Sequence, residues 1–408
     1  MAAPAPAPPQ APRLRVCFMG QAGYGRPLDA TSARKFRLLA GAADVTVVGF
    51  ARGARPGRFR EHADFWLLPR LPSTALRLGA MLGLGTLAGA WLVLRGRADV
   101  VVAQSPFEGV AAALAVGVGR WFGRPARLVV ESHGDFETAV FHQRGVRFRR
   151  LYGWAMRRAA RFSLGRADTL RSISGATTAQ LARWAPGTPV VQFPAWTDMD
   201  AFTAAERGGS DSRAVLFVGT LTPVKGVHHL LAAFAAVAPR FPAATLTLLG
   251  KEQNAAYVRR LQDDVVRLGL GGRVRFAAPV PQAELAGEMA RAAVLVLPSV
   301  SEGLGRVVFE AMATGTPVIG SAVGGIPELV DHGRTGWLVP PGDEAALAAR
   351  LAWVLEHPSE AAAAGARARE FATGFFSSEG YVRNYQRLFA AARRGLPAPA
   401  LASPAPLR

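Results

Sequence analysis

Short, largely apolar segments that alternate with helical segments constrain the fold of this chain most strongly. Three of them, residues 215–219, 246–250 and 318–320, end on glycine, which allows the backbone to approach a ligand closely. Apolar runs of this length are typical of parallel strands that are buried on both faces. Their alternation with helices predicts an α/β protein with parallel sheets covered by helices.

The first half of the chain shows the same alternation. The predicted strands there cover residues 14–19, 45–50, 100–103 and 128–131. A glycine-rich turn at residues 20–25 follows the first strand and leads into a predicted helix over residues 28–40. The polar residues that follow such strands, 104–106 and 132–134, would line the carboxyl edge of the sheet, where ligands bind in open α/β folds.

A second unit of the same kind follows a polar, glycine-rich break at residues 205–213. Its predicted strands cover residues 215–219, 246–250, 274–276, 294–297 and 318–320. With 408 residues, the chain is also too long for one ordinary hydrophobic core. The sequence therefore predicts two doubly wound, Rossmann-like domains in tandem with a cleft between them.

We place the first domain at residues 13–204 and the second at residues 205–375. A last helix at residues 376–394 has no strand after it, and we expect it to cross back to the first domain. The Ala/Pro-rich tails, 1–12 and 395–408, are expected to be disordered. The first tail lacks the charged start and the apolar core of a signal peptide.

Two glutamates mark the turn that follows the apolar segment 294–297. Glu302 lies in a glycine-bearing turn, and Glu310 follows eight positions later, about two turns into a predicted helix. The first N–H groups of such a helix are free to bind anions, above all phosphates. We expect one glutamate to reach the mouth of a pocket and the other to hold a ligand hydroxyl deeper in the groove.

Lys225 follows the first strand of the second predicted domain, between Gly219 and Gly226. A glycine turn at a strand end, with a lysine that reaches back, suits a diphosphate. The segment is not a Walker A loop, because its second glycine comes after the lysine and no Lys-Ser or Lys-Thr pair is present.

A third glycine loop, Gly324 and Gly325, precedes Glu328. In this order, the Lys225 loop, Gly250, the Glu302/Glu310 segment and this third loop resemble the donor-binding domain of the GT-B glycosyltransferases, specifically the large retaining family 4. The resemblance covers nearly the whole chain outside the tails. It implies two Rossmann-like, doubly wound α/β domains that face each other across a cleft.

The resemblance also implies roles for individual residues. Glu310 is similar to the glutamate that holds the ribose hydroxyls of the nucleotide, Glu302 to the carboxylate that contacts the donor sugar, and Lys225 to the lysine that binds phosphate. His133 matches a histidine beside the transferred sugar, so Glu302, His133 and Lys225 are the implied catalytic residues. The remaining implied donor-site residues are Gly219, Thr220, Gly250, Val280, Gly303, Leu304, Gly305, Arg306 and Val307. The implied loop on the acceptor side contains Gly20, Gly23 and Gly25.

One departure from the family pattern concerns charge. Thr220 stands where the family usually has an arginine, so one positive charge at the diphosphate is missing. We expect Arg306 to substitute for it. Neither a metal nor a cofactor is expected, because the only cysteine is Cys17 and no clustered His/Cys spacing is present.

The net charge of +19 predicts a surface that attracts polyanions. Nine arginines lie between residues 144 and 171, and no acidic residue occurs from 138 to 167. We interpret this stretch as a surface that faces an anionic membrane or the acceptor, and nucleic acid is not an expected partner.

Residues 78–94 carry no charge and are flanked by Arg77, Arg95 and Arg97. Three interpretations are open: a core helix, a helix on a membrane surface, or a membrane span. A span would disrupt the predicted first sheet, and the basic flanks favour contact with anionic headgroups.

The predicted activity is transfer of a sugar from a nucleoside diphosphate to an acceptor hydroxyl with retention of anomeric configuration. The acceptor is a lipid-linked or cell-envelope glycan or a small molecule, and the expected location is the cytoplasm, at the inner face of the cell membrane. Two alternatives are a nicotinamide-dependent oxidoreductase and a non-enzymatic binder of anionic lipid or nucleic acid. The oxidoreductase is disfavoured because residues 20–25 do not spell Gly-x-Gly-x-x-Gly and no acidic residue ends the second strand.

Overall fold

The computed structural model describes residues 13–53, 55–137, 149–207, 213–375 and 377–394. The two tails that the sequence predicts to be disordered lie outside these residues, as does part of the arginine-rich stretch. The predicted alternation of strands and helices, and the two parallel sheets, are confirmed within them.

The first sheet has eight strands. Their bounds are β1 Arg15–Tyr24, β2 Asp44–Ala51, β3 Gly57–Arg60, β4 Asp64–Leu68, β5 Val100–Ala103, β6 Arg127–Ser132, β7 Thr169–Ser172 and β8 Val190–Gln192. They lie in the order β3-β4-β2-β1-β5-β6-β7-β8. β1 pairs in parallel with β2 and β5, and β3 pairs with β4 in the antiparallel direction. The direction of the strand order therefore changes between β1 and β5.

The second sheet has six strands. Their bounds are β9 Ala214–Val218, β10 Thr245–Leu249, β11 Val274–Ala277, β12 Val294–Leu297, β13 Val318–Ser321 and β14 Trp337–Val339. Their order is β11-β10-β9-β12-β13-β14, and every pairing is parallel. This is the 3-2-1-4-5-6 order of a doubly wound nucleotide-binding sheet, and it reverses between β9 and β12.

Helices connect these strands. Their bounds are α1 Ala30–Leu39, α2 Thr74–Ala80, α3 Thr86–Leu94, α4 Glu108–Trp121, α5 Arg149–Leu164, α6 Gly175–Trp184, α7 Asp200–Ala204, α8 Val227–Val237, α9 Ala255–Arg267, α10 Gln282–Arg291, α11 Arg306–Ala313, α12 Ile326–Leu329, α13 Glu344–Glu356, α14 Pro358–Phe375 and α15 Ser378–Arg394. A short π-helical segment, Met81–Gly85, joins α2 to α3.

The predicted turn at residues 20–25 is wrong in part. β1 continues to Tyr24, and its register with β2 shifts between Met19 and Gly23. Met19 pairs with Val48 and Gly23 with Phe50, so three residues of β1 lie opposite the single residue Gly49. A bulge therefore replaces the turn, because the strand resumes pairing after the extra residues. The following helix begins at Ala30, where the Asp29 side chain accepts a hydrogen bond from the Ser32 N–H.

The core of the second sheet follows from its sequence. All four residues of β12 and of β13 are buried, as expected for parallel strands covered on both faces. Phe217, Phe234 and Phe309 are fully buried in the same core. The strand ends are thereby held in fixed positions, and the loops that follow them are positioned by a rigid scaffold.

The described chain divides into two compact units. The first holds the described residues within 1–131, 159–170 and 382–398, and the second holds those within 132–158, 171–381 and 399–408. Residues 132–137, which include His133, therefore belong to the same unit as the second sheet. The predicted domain boundary at residue 205 and the crossing of the last helix stay predictions.

Candidate active site

The carboxyl edge of the second sheet gathers the residues that the sequence singles out. β9 and β12 are the neighbouring strands at which the strand order reverses, and ligands of doubly wound sheets bind at this point. The loop after β9 carries Lys225, and the loop after β12 carries Glu302. The predicted functional residues thus follow the two strands that border the crevice.

The glycines at the ends of β9 and β10 are required by close contact. A Cβ atom on Gly250 would lie 1.7 Å from the carbonyl oxygen of Gly219, which no side chain can tolerate. Beyond them, the N–H of Leu221 donates to the carbonyl of Lys251 at 2.9 Å. Backbone contact therefore fixes the start of the loop that carries Lys225.

Gly226 ties this loop to the end of β12. It adopts a φ of +64°, and a Cβ atom there would lie 2.1 Å from the carbonyl oxygen of Pro298. Next to it, the N–H of Val300 donates to the carbonyl of Val224 at 2.9 Å. Lys225, between these two contacts, is held close to the loop of Glu302.

An ion pair joins the two loops. Lys225 Nζ lies 2.5 Å from Glu302 Oε2, and the Ser299 hydroxyl donates to the same oxygen at 3.2 Å. The two charged side chains are only 22% and 15% exposed, so the pair is shielded from much of the solvent. The structure thus brings the predicted phosphate lysine and the predicted sugar carboxylate together in one partly buried place.

The turn after Glu302 leads into helix α11 through two glycines. A Cβ atom on Gly303 would lie 2.6 Å from the carbonyl oxygen of His133, and Gly305 adopts a φ of +82° directly before the helix. Gly305 caps α11 without a side-chain hydrogen bond, and the Val308 N–H donates to the Gly305 carbonyl at 2.8 Å. The N–H groups of Arg306 and Val307, before it, are the ones that can bind an anion. The peptide of His133 is in contact with this turn, as expected for a residue that shares the site.

Glu310 lies in the second turn of α11, one turn nearer to the helix start than the sequence predicts, because the helix begins only at Arg306. Its side chain is buried, and burial raises the pKa of its carboxyl to about 7, although Arg306 acts in the opposite direction. Arg306 Nε lies 3.2 Å from Glu310 Oε1. The substitution of Arg306 for the missing phosphate arginine stays a prediction, and the contact that the structure shows is with Glu310.

The third glycine loop packs on the turn of Glu302. A Cβ atom on Gly324, which has a φ of +58°, would lie 1.8 Å from the carbonyl oxygen of Glu302. The N–H of Gly325 donates to the carbonyl of Gly303 at 3.1 Å. The three loops that carry the sequence motifs therefore form one connected backbone structure at this edge.

Glu328 makes contacts that the sequence analysis missed. Its two carboxylate oxygens accept hydrogen bonds from the N–H of Gly175 at 2.5 Å and from Gln192 Nε2 at 2.9 Å. Burial raises the pKa of this carboxyl. The only local signal near this contact is Ser174, the N-cap residue of α6. Nothing in the sequence pairs Gly175 with Glu328, which lies 153 positions away.

The remaining predicted donor residues are positioned less directly. Thr220 and Val307 are half-buried and Leu304 is buried. Val280 follows β11, two strands from β9, which corresponds to roughly 10 Å across the sheet. Val280 packs against the core of the second sheet, and β10 separates its strand from the one that precedes Lys225.

The predicted acceptor-side glycines belong to the first unit. A Cβ atom on Gly20 would collide with the side chain of Gln104, and those of Gly23 and Gly25 would contact Arg52. The sequence analysis missed the buried Glu108, the first residue of α4, which accepts from Gln21 Nε2 at 2.7 Å and from the Ser105 hydroxyl. Burial raises the pKa of this carboxyl.

Two family models match this chain. The model described as "Glycosyl transferase 4-like domain" matches residues 31–196, and the model described as "Glycosyl transferases group 1" matches residues 199–371. Together they cover both sheets except β1, which precedes residue 31. Among the described residues, no group of three or more His, Cys, Asp or Glu side chains is arranged to hold a metal ion.

Curated relatives and solved structures agree with these matches. The D-inositol 3-phosphate glycosyltransferase of Corynebacterium efficiens is 37% identical over 167 residues, which cover 40% of this chain and only 39% of that protein. The GDP-mannose-dependent alpha-(1-6)-phosphatidylinositol monomannoside mannosyltransferase of Mycolicibacterium smegmatis is 29% identical, and the match covers 79% of this chain and 81% of that protein. Anabaena HepE, solved in complex with UDP and glucose, superimposes with a TM-score of 0.71 at 22% identity and covers 92% of this chain and 99% of its own.

Proposed function

Because this chain belongs to the GT-B glycosyltransferases, we propose that it transfers a sugar from a nucleoside diphosphate to an acceptor hydroxyl with retention of anomeric configuration. The observation that carries the proposal is the Lys225–Glu302 ion pair at the start of α11, with the buried Glu310 one turn further along the helix. The comparisons support this activity and lend no support to the oxidoreductase or the non-enzymatic binder.

The leaving diphosphate is the group that most needs stabilisation, because it gains negative charge as the bond to the sugar breaks. Lys225 supplies a positive charge, and the first N–H groups of α11 supply oriented dipoles. Lys225 is already held by Glu302, so a bound diphosphate offers it a second anionic partner without a large movement of its backbone.

We assign Glu302 to the donor sugar. Its Oε2 atom accepts from both Lys225 and Ser299, and Oε1 is the oxygen that we assign to a sugar hydroxyl. Glu310, in the second turn of α11, would accept from the ribose hydroxyls as a carboxylate. We propose that the acceptor attacks from the face from which the diphosphate departs, that a diphosphate oxygen takes the acceptor proton, and that His133 lies beside the transferred sugar.

The proposed acceptor is a lipid-linked glycan or a glycolipid. The Mycolicibacterium smegmatis relative is named for a phosphatidylinositol monomannoside, and this chain matches most of its length. We propose accordingly that the enzyme works in the cytoplasm as a peripheral protein on an anionic membrane. No metal or other cofactor is part of the proposal, because Lys225 and the helix start take the place of a cation at the diphosphate.

A thermal-shift screen with UDP-, GDP- and ADP-sugars tests the proposed donor class. We expect one nucleotide sugar to raise the melting temperature, with little effect of EDTA, and Glu310→Ala to remove the shift. Glu288→Gln is the matched control, because Glu288 pairs with Arg275 and Arg291 near the starts of β11 and β12, away from the carboxyl edge of the sheet. Stabilisation by reduced nicotinamide cofactor, with none by any nucleotide sugar, would reject the proposed function.

A further inference from the structure

Helices α3 and α4 of the first unit leave large apolar side chains in solvent. The exposed residues of this apolar face are Leu82, Leu84, Leu87 and Trp91 from the α2–α3 segment, and Leu114, Val118, Trp121 and Phe122 from α4 and its C-terminal end. Trp121 is 86% exposed, Phe122 67% and Leu87 68%. An exposed group of aromatic and aliphatic residues of this size marks an interaction surface rather than the ordinary scatter of apolar residues.

Helices α3 and α4 pack closely through small residues, and the exposed apolar side chains point away from this contact. A Cβ atom on Gly89 would lie 3.0 Å from Ala115 Cβ, and one on Gly119 would lie 2.2 Å from Val93 Cγ1. Ala115 and Gly119 thus turn towards α3, and Leu114 and Val118 precede them by one position each. One position corresponds to about 100° of rotation around the helix, so the side chains of Leu114 and Val118 do not point at α3. Leu87 and Trp91 are each two positions from Gly89, about 200° around α3, so they lie away from the contact with α4. The Trp91 ring also lies 5.0 Å from the ring of Trp66 in β4.

The chain around this face is basic. The segments 65–98 and 109–130 contain seven arginines and no aspartate or glutamate. The guanidinium groups of Arg95 and Arg97 lie 5.7 Å and 5.4 Å from the centre of the Trp91 ring. Arg124 is exposed two positions after Phe122. Aromatic side chains beside exposed arginines fit the boundary between the headgroups and the acyl chains of an anionic membrane.

We propose that the apolar face inserts into the interfacial region of an anionic lipid bilayer and anchors the first unit there. The proposal deepens the proposed function, on which it rests for a lipid-linked acceptor. Arg120 and Arg127 are paired with Asp168, whereas Arg95, Arg97 and Arg124 are exposed beside the apolar face. The occupant is a lipid surface, because this rim of exposed arginines complements anionic headgroups, while a protein partner would need acidic groups of its own.

The same segment does not cross the membrane. Residues Thr74–Leu94 are long and apolar enough to do so by length and composition. However, Met81 and Gly85 are buried, and a Cβ atom on Gly89 would lie 3.1 Å from the sulfur of Met19 in β1. One side of the helix is thus part of the core of the first sheet, and a span would have to break this packing. Of the three interpretations that the sequence leaves open, this packing argues against the span, and the proposal assigns the exposed side of the segment to the membrane surface.

Vesicle flotation of the full chain tests the proposal. We compare vesicles of phosphatidylcholine alone with vesicles that also contain phosphatidylglycerol. The variant Leu87→Ser/Trp121→Ser/Phe122→Ser should weaken partitioning by roughly a hundredfold or more, because each inserted apolar side chain favours the membrane by roughly tenfold or more. Val266→Ser is the matched control, since Val266 is equally exposed on α9 of the second unit.

A charge variant tests the arginine rim without altering the apolar face. Arg124→Gln should weaken binding to the anionic vesicles roughly fivefold, from about 1 kcal/mol per basic residue near the surface. Arg259→Gln, which removes an exposed arginine of α9, should leave binding unchanged. Quenching of wild-type tryptophan fluorescence by lipids with brominated acyl chains should fall in the conservative variant Trp121→Phe, since Trp121 would lie at acyl-chain depth.

Three results would overturn the proposal: no flotation of the wild type with anionic vesicles, equal flotation of the triple serine variant, or no tryptophan quenching. Conversion of a dimer to a monomer by the serine substitutions, with flotation unchanged, would identify the face as a contact between copies and would also overturn it. The nucleotide thermal shift is measured on the same samples. It confirms that each variant is folded, and its absence from the wild type would contradict the donor proposal while leaving the membrane result readable.

Discussion

The two sheets carry the same local arrangement at the point where their strand orders reverse, with one difference in charge. In each sheet, a Ser-x-x-Glu-Gly segment follows a central strand: Ser105 to Gly109 after β5, and Ser299 to Gly303 after β12. In each, the serine hydroxyl donates to the glutamate three positions later. The glutamate of each segment also binds one residue from the loop or bulge of the neighbouring central strand.

That partner is neutral in the first sheet and charged in the second. Gln21 Nε2 donates to Glu108 at 2.7 Å, whereas Lys225 Nζ binds Glu302 at 2.5 Å. A lysine suits a diphosphate, and an amide with a carboxyl group suits the hydroxyl groups of a neutral acceptor. The glutamate thus has a charged partner, Lys225, in one unit and a neutral partner, Gln21, in the other. We propose that the two sites bind a diphosphate and an acceptor hydroxyl respectively, and the predictions below test this assignment.

Removal of the charge at Lys225 should have the largest effect. Lys225→Gln gives Glu302 a neutral amide partner, like the one that Glu108 has in the first sheet. We expect kcat/KM for the sugar donor to fall by roughly 10²–10³, the range for loss of one hydrogen-bonding group that stabilises the transition state. Lys251→Gln, in the adjacent loop, is the control and should change activity little. A Lys225→Gln enzyme with wild-type kcat/KM would show that the diphosphate is stabilised elsewhere.

Glu310 should make donor binding depend on pH. Its pKa of about 7 means that the carboxylate, which we propose to bind the ribose, is lost as the pH falls below 7, so donor affinity should fall there. Glu310→Gln should lower the affinity at pH 8 by roughly tenfold or more, because a hydrogen bond to a charged group is lost, and should flatten the pH profile. An unchanged pH profile in the variant would assign the titration to another group.

The same pKa has a consequence for stability. Because burial raises the folded pKa of Glu310 from 4.5, its contribution to stability is complete below pH 4.5 and is lost as the pH rises through 7. Denaturant unfolding at pH 8 should therefore show Glu310→Gln to be more stable than the wild type by up to about 3 kcal/mol. Equal stabilities at pH 8 would contradict the raised pKa.

Glu108→Gln tests the site of the first sheet. Glutamine keeps the shape of the side chain but has one acceptor oxygen instead of two, so either Gln21 or Ser105 loses its acceptor. We expect the KM of the acceptor to rise roughly fivefold to tenfold. Donor binding by calorimetry should remain as in the wild type. A loss of donor affinity with the acceptor KM unchanged would reject the division of roles between the two sheets.

The two serines should show the smallest effects, and these should differ. Ser105→Ala leaves a buried carboxyl without its hydroxyl donor and should cost about 1–3 kcal/mol of unfolding free energy. Ser299→Ala should cost about 1 kcal/mol or less, since Glu302 keeps Lys225 as a partner. Equal losses in urea unfolding would mean that the charge of Lys225 does not compensate for the lost hydroxyl.

The second sheet could be predicted from sequence more completely than the first. β12 and the turn to α11 combine a fully apolar strand, glycines and a helix within one short segment, so local patterns identified Glu302, Glu310 and Lys225. β7 was missed because it contains Arg171, a residue that normally indicates a surface. In the structure Arg171 is buried, donates to the carbonyls of Phe193 and Pro194, and lies 4.1 Å from the Phe193 ring.

Contacts between distant residues could not be predicted for a different reason. The Glu328 contact with Gly175 and the Gln21 contact with Glu108 depend on strand order, which no local pattern encodes. The bulge in β1 could not be distinguished from a turn, because glycines indicate either structure. Only the resumed pairing of Gly23 with Phe50 identifies a bulge.

The central claim is that Lys225 binds the diphosphate of the donor. Calorimetric titration of the wild type and Lys225→Gln with UDP or GDP, whichever stabilises the protein, and with the corresponding nucleoside tests it most directly. The account predicts that the wild type binds the diphosphate much more tightly than the nucleoside and that Lys225→Gln loses most of this preference while nucleoside affinity is unchanged. An undiminished preference for the diphosphate in Lys225→Gln would contradict the claim.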